Sequence, residues 1–220
     1  MSATTATATR PPQTEQPSAL LVYRDDGPLA TALGALGRAI PLPPLVLLVV
    51  AVLPLLPAIV LEGDEASHGL ALAVTAWLVL VGGASSGRPH TDRVRWTVPA
   101  LLRAAEYGSL IWFAALAGAA EEGAAFALLG AIAFRQYDLV YRLRHMAKTP
   151  PAWVNRLSGG WDGRLILMCL LLIAGALPAA YYVVAAVLGV VFVAESAQAW
   201  THFSRAQRPV MYEDEEDEGQ

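Results

Sequence analysis

The sequence is poor in the residues and motifs on which many soluble enzymes depend. It has one cysteine, Cys169, inside an apolar run, which excludes a disulfide framework and a cysteine-based metal site. It has no Walker-type glycine-rich loop and no His-Glu-x-x-His motif, so an ATPase and a zinc protease have no support. Residues 1–20 lack the charged-then-apolar pattern of a signal peptide.

Charged residues are also scarce, and apolar residues are abundant. Only 15% of the 220 residues are charged, whereas 55% are hydrophobic, which favours one integral membrane bundle over a soluble domain. We predict a disordered tail at 1–19, a membrane domain at 20–205 and an acidic disordered tail at 206–220. The dominance of Ala, Leu, Gly and Arg suggests a high-GC bacterial genome and therefore a multi-pass protein of the plasma membrane.

The apolar runs predict an all-α bundle of six transmembrane helices. These runs are 44–61, 69–84, 98–120, 123–134, 165–177 and 179–200. With this threading all 15 Lys and Arg residues fall on one side of the membrane. Cationic residues stay on the cytoplasmic side, so both termini are predicted to be cytoplasmic.

The segment 20–40 is apolar with scattered charge, which is typical of an interfacial helix lying along the membrane surface. We expect this N-terminal helix to begin near Pro28, with Asp25 or Asp26 as its cap.

Two transmembrane helices should be irregular. Pro54 and Pro57 predict a kink in the first span. After its apolar half ends at Phe134, the fourth helix continues without Gly or Pro through a charged half to His145, and Thr149-Pro150-Pro151 should end it.

Ionisable residues stand where membrane helices normally have none. Because such residues cost several kcal/mol in a bilayer unless they are paired or functional, they should face the bundle interior. They come from four predicted elements: Arg103 and Glu106; Arg135, Asp138, Arg142 and His145; Asp162 and Arg164; and Glu195.

Two interpretations of these residues remain open. In the first they are structural salt bridges: Arg103 with Glu106, Asp138 with Arg142, and Glu195 with an arginine of a neighbouring helix. In the second they line a functional cavity. The number of carboxylates favours the cavity, because a buried ion pair rarely stabilises a fold better than apolar packing.

The chemistry that suits such a cavity is the binding of a diphosphate. Carboxylates without cysteine bind hard cations such as Mg²⁺, and arginines form bidentate contacts with phosphate. The predicted metal ligands are Asp138, Asp162, Glu106 and Glu195. The predicted catalytic residues are Asp138, Asp162, Glu106 and His145. The predicted substrate contacts are Arg135, Arg142, Arg164, Arg103, Tyr107, Tyr141 and Asp26.

Several motifs in order resemble an actinobacterial membrane domain of unknown function, which is often fused to a CDP-alcohol phosphatidyltransferase or a nucleotidyltransferase. The motifs lie at 23–30, 90–93, 102–107, 134–145 and 159–164. CDP-alcohol phosphotransferases are six-helix membrane enzymes with a cytoplasmic carboxylate–metal site. The segment Asp26-Gly27-Pro28-Leu29-Ala30 is similar to the start of their signature, although Thr31 stands where that signature has arginine.

These observations favour a Mg²⁺-dependent membrane transferase that acts on a diphosphate-activated substrate. A prenyltransferase or terpene cyclase is an alternative, with a carbocation pocket of Tyr107, Trp112, Phe134, Tyr137 and Tyr141. A non-catalytic lipid-binding or scaffold subunit is a second alternative, and a proton-coupled carrier ranks last. The expected partners are a membrane lipid or isoprenoid substrate and a lipid-synthesis enzyme, with a homodimer left open and no nucleic acid.

Overall fold

The computed structural model describes residues 19–60, 68–88, 93–94, 96–118 and 122–206. Within these ranges the chain is all-helical and has no β-strand, which confirms the predicted all-α class. Its helices are α1 Ala19–Arg24, α2 Pro28–Gly37, α3 Pro44–Val52, α4 Leu55–Val60, α5 His68–Ala84, α6 Thr97–Ala117, α7 Glu122–His145, α8 Ala152–Ser158, α9 Gly160–Ile173 and α10 Leu177–Ala206. The predicted tails lie outside the described residues except for residues 19 and 206, and so does most of the motif at 90–93.

Within the described residues, three helical segments are long and apolar enough to cross a membrane: His68–Gly87, Thr97–Ala117 and Leu177–Ala206. The first of them includes the 3-10 turn Ser85–Gly87, which continues α5. The other predicted spans are shorter or more polar. For instance, α9 has 14 residues, whereas a span needs about 20. The six-span threading and the side of the termini therefore stay predictions.

Helix boundaries follow the proline positions. The first apolar run breaks after Val52 and resumes at Leu55, so Pro54 interrupts the helix as predicted. Helix α2 begins at Pro28, also as predicted. Helix α7 continues without a break to His145, so its charged half extends the apolar half as one rod.

The packing brings the α1–α2 segment against one end of the bundle. Helix α7 packs along α10, α9 packs between α5 and α6, and α2 lies on α5. The approach of α2 is close, because a Cβ built on Gly34 would lie 2.9 Å from the Gly87 nitrogen. This arrangement places the α1–α2 turn beside α6, α7 and α9, where most of the buried charged residues meet.

Candidate functional site

The turn between α1 and α2 is held against the start of α9 by backbone contact. A Cβ on Gly27 would lie 2.0 Å from the Gly159 oxygen, and one on Gly160 would lie 2.1 Å from the Gly27 nitrogen. Gly160 has φ +67°, a conformation that favours glycine. The Trp161 amide donates a hydrogen bond to the Asp25 carbonyl at 3.1 Å. The two segments can therefore meet only because these positions lack side chains.

The carboxylate of Asp162 caps α2 across this contact. Its Oδ1 accepts from the Gly27 amide at 2.6 Å, and its Oδ2 accepts from the amides of Ala30 at 2.9 Å and Leu29 at 3.1 Å. The prediction that Asp25 or Asp26 caps α2 is wrong, because a carboxylate from another helix satisfies the free amides instead. Burial raises the pKa of Asp162, although the hydrogen bonds from the Ala30 and Gly27 amides act in the opposite direction.

Asp25 lies at the centre of a group of arginines. It accepts from Arg164 Nη2 at 2.9 Å and Arg135 Nη2 at 3.3 Å, and Arg103 Nη2 lies 3.8 Å away. Burial by itself would raise the pKa of Asp25, but the three guanidinium groups outweigh it and hold the pKa below its usual value. Asp25 is therefore a charged carboxylate in the folded protein.

Two further carboxylates complete this group. Glu106 is fully buried, accepts from Arg164 Nε at 2.7 Å and forms an ion pair with Arg103. Asp26 binds Arg24 through two hydrogen bonds and accepts from Trp161 Nε1 at 2.8 Å.

We call this group the polar core. It contains four arginines and four carboxylates, so its formal charges cancel. Its members are Arg24, Arg103, Arg135, Arg164, Asp25, Asp26, Glu106 and Asp162.

A second group, the distal cluster, joins α7 to α10. Arg142 donates from Nε to Asp138 at 2.6 Å and binds both Glu195 oxygens at 2.7 Å. Asp138 also accepts from Ser196 Oγ at 2.7 Å and Trp200 Nε1 at 2.9 Å. Both carboxylates are therefore paired with Arg142, as the salt-bridge interpretation predicts.

The predicted metal ligands fall into these two groups. Asp138 and Glu195 belong to the distal cluster, whereas Asp162 and Glu106 belong to the polar core. All four accept hydrogen bonds from guanidinium, hydroxyl, indole or amide groups. Within the part of the chain that the structure describes, no group of three or more His, Cys, Asp or Glu residues could hold a metal ion. The described side chains alone therefore do not fit a resident Mg²⁺, and Mg²⁺ stays a prediction.

The predicted aromatic pocket does not assemble in the described residues. Trp112 is buried within the bundle, whereas Phe134, Tyr137 and Tyr141 are exposed along α7. Tyr141 stacks between Tyr137 and His145, with ring centroids 4.5 and 5.8 Å away. Tyr107 is half-buried on α6, beside Glu106 in the sequence.

Ser85 has the sequence context of a serine nucleophile but not the structural one. Residues 83–87 have the Gly-x-Ser-x-Gly spacing, yet Ser85 follows a helix rather than a strand. Its fully buried hydroxyl donates to the Gly82 carbonyl at 2.6 Å and accepts from Arg24 at 3.2 Å. Ser85 thus holds Arg24 in place.

A cavity of about 500 Å³ borders the polar core. We call it the polar pocket. It lies between α1, α2, the 3-10 turn, α7 and the segment 149–155. Leu21, Val22 and Leu139 form its aliphatic part. Its charged and amide groups come from Asp25, Asp26, Arg38, Arg135 and Asn155.

Two arginines of the polar pocket have unused donors. Arg135 is buried and donates from Nη2 to Asn155 at 2.5 Å, but its buried Nε has no partner in the described structure. Arg38 is exposed and makes no ion pair with any described residue. The sequence predicted Arg135 and Asp26 as substrate contacts, but it gave Asp25 only as a candidate helix cap and gave no site role to Arg38 or Asn155. The one signal for Asp25 was its place in the motif at 23–30.

Comparison with known proteins identifies a family but no function. Neither a curated protein nor a solved structure matches the chain. A family profile matches residues 15–218, which is nearly the whole sequence. The chain therefore belongs to a family of unknown function, DUF5941.

Proposed function

We propose that this protein binds a diphosphate-bearing substrate of lipid synthesis in the polar pocket and acts on it as a membrane transferase. The observation that carries the proposal is a cavity of about 500 Å³ lined by two arginines, the exposed Arg38 and the buried Arg135. Ligand sites commonly have volumes of 300–1,000 Å³ and combine apolar walls with a few polar groups.

The electrostatics of the polar pocket favour an anion. The polar core is formally neutral, so Arg38 adds a positive charge that no described carboxylate compensates. Arg135 lies deeper, with Asp25 and Asn155 orienting its guanidinium group. Guanidinium groups form bidentate hydrogen bonds with phosphate oxygens. A diphosphate could therefore bridge a fixed arginine and an exposed one.

We also propose a topology and a class of reaction for this protein. Six spans in the plasma membrane, with both termini and the polar pocket on the cytoplasmic side, would explain the one-sided basic residues. The resemblance to domains fused to CDP-alcohol phosphatidyltransferases supports the transfer of a diphosphate-activated group. Mg²⁺ would be bound mainly by substrate phosphates, because Mg²⁺ commonly uses only one or two carboxylates in such sites.

The first test measures binding of inorganic pyrophosphate to the full chain in detergent by calorimetry, with Mg²⁺ and with EDTA. We expect Arg38→Gln to weaken binding about tenfold, because a hydrogen bond to a charged group contributes roughly 1.5–3 kcal/mol and Arg38 is partly solvated. Arg205→Gln is the matched control, since Arg205 is also an exposed arginine at the end of a helix.

Comparison of the Arg38 and Arg205 variants also tests whether pyrophosphate binds in the polar pocket. Equal weakening by the two substitutions would indicate general charge attraction and would contradict the proposal. Retention of full affinity in the Arg38 variant would contradict it as well. Release of CMP from a labelled CDP-alcohol would then indicate a CDP-alcohol phosphotransferase. Release of diphosphate from a labelled prenyl diphosphate would indicate a prenyltransferase.

A second candidate function is a non-catalytic membrane scaffold for a lipid-synthesis enzyme. The specific observation in its favour is that the carboxylates of both clusters are already bound by arginines or backbone amides, so the charges serve to join helices. This function predicts no specific binding of pyrophosphate. It also predicts that substitution of Glu106 impairs assembly of the bundle.

A further inference from the structure

We infer that the substrate of the polar pocket is an aliphatic, prenyl-type diphosphate rather than a CDP-linked alcohol. This inference rests on the proposed function and specifies the group attached to the diphosphate. It depends on the mixed lining of the pocket, which has aliphatic side chains as well as charged groups.

The aliphatic part of the pocket is built from two helices that are far apart in sequence. Leu21 and Val22 come from α1, and Leu139 comes from α7 and is nearly fully buried. Pro150 adds an apolar ring from the segment after α7. A hydrocarbon chain that leaves the diphosphate could pack against these groups. Each CH₂ that it buries would strengthen binding about fourfold.

The described lining of the pocket is poorly suited to stacking on a nucleotide base. Among the described residues that line it, none is aromatic, so a cytosine ring has no stacking partner there. The exposed rings of Tyr137 and Tyr141 line α7 but not the pocket. Trp161 is buried, and its indole NH is bound to Asp26. A nucleotide would therefore gain little beyond its phosphates.

The position of the pocket also suits a ligand that reaches it from the membrane. Leu21 and Leu29 are each 42% exposed, and Leu36 is 62% exposed, all on the α1–α2 segment. Apolar side chains exposed along a segment of this kind are typical of a helix that lies at a lipid interface. A prenyl chain could then enter beside α1 while its diphosphate meets Arg38.

The experiment compares four probes on the full chain in nanodiscs: pyrophosphate, farnesyl diphosphate, CDP-glycerol and farnesol. We expect farnesyl diphosphate to bind at least about thirtyfold more tightly than pyrophosphate, which corresponds to a few buried CH₂ groups. CDP-glycerol should bind no more tightly than pyrophosphate. Farnesol controls for partitioning into lipid and should not compete with farnesyl diphosphate.

Two leucine substitutions test where the hydrocarbon chain of the ligand binds. Leu21→Asn should weaken binding of farnesyl diphosphate about fivefold and leave pyrophosphate unchanged. Leu36→Asn, on a more exposed leucine outside the pocket, should change neither. Arg38→Gln should weaken both ligands equally, because both carry the diphosphate.

The outcomes separate this inference from the proposed function. Tighter binding of CDP-glycerol than of farnesyl diphosphate, or no effect of Leu21→Asn, would overturn the inference while the diphosphate site stands. Absence of binding by pyrophosphate and both diphosphate esters would overturn the inference together with the proposed function.

Discussion

The polar core and the distal cluster use the same residue types in different ways. The distal cluster joins two long neighbouring helices, and Asp138 and Arg142 are one turn apart on α7. The polar core joins the α1–α2 turn to α6, α7 and α9, which lie far from that turn in the sequence. The described polar pocket borders the core through Asp25, Asp26 and Arg135, whereas no residue of the distal cluster lines it.

This difference indicates that paired charges alone do not mark a site. Both clusters satisfy their carboxylates, so either could be purely structural. Of the two described clusters, only the polar core combines a neutral charge balance with an adjacent cavity and an arginine whose Nε has no described partner. Because the polar core depends on contacts among several segments, we expect it to be more easily disrupted than the distal cluster.

The largest loss of stability is expected when the backbone contact that assembles the polar core is disrupted. Gly160→Ala should destabilise the protein by more than about 3 kcal/mol, because a Cβ would meet the Gly27 backbone and φ is positive. Gly163→Ala is the control, since a Cβ there has no neighbour within 4 Å. Thermal unfolding in detergent measures both. Similar melting temperatures for the two variants would show that the contact is not needed.

Sequence patterns predicted the features that depend on local spacing. The break at Pro54, the start of α2 at Pro28 and the long α7 follow from proline positions. The pairs Arg103–Glu106 and Asp138–Arg142 follow from helical periodicity, which places residues three or four apart on one face. Each of these features is set by residues within a few turns of one another.

Features that depend on tertiary packing could not be predicted in the same way. Asp162 caps a helix more than 130 residues earlier in the sequence, and no spacing rule identifies that partner. Asp25 gathers arginines from three helices for the same reason. The sequence grouped Asp138 with Asp162 by residue type, whereas packing places them in different clusters.

The next largest effect is expected at the buried glutamate of the polar core. Glu106→Gln should cost about 3–5 kcal/mol, because it leaves Arg164 and Arg103 short of a negative charge inside the bundle. Chemical denaturation in detergent would measure the loss. A cost below about 1 kcal/mol would show that Asp25 alone compensates the arginines.

A smaller loss of stability is expected when the cap of α2 is altered. Asp162→Asn should cost about 1–2 kcal/mol, because an amide offers one acceptor oxygen where three backbone amides now donate to a carboxylate. If Asp162 acts only as a cap, affinity for pyrophosphate per folded molecule should not change. Loss of the Mg²⁺-dependent part of binding would instead restore the role of metal ligand predicted from the sequence.

The smallest effect is expected in the distal cluster and gives a matched comparison with Glu106. Glu195→Gln should cost only about 1 kcal/mol, because Arg142 keeps its ion pair with Asp138 and the Glu195 side chain is 11% exposed, whereas Glu106 is 0% exposed. Affinity for pyrophosphate should match that of the unaltered chain, since Glu195 does not line the described pocket. Denaturation and calorimetry on the two Glu→Gln variants would be run in parallel. A larger stability loss for Glu195→Gln than for Glu106→Gln would reverse the proposed order of the clusters. A loss of pyrophosphate affinity confined to the Glu195 variant would move the binding site from the polar pocket to the distal cluster.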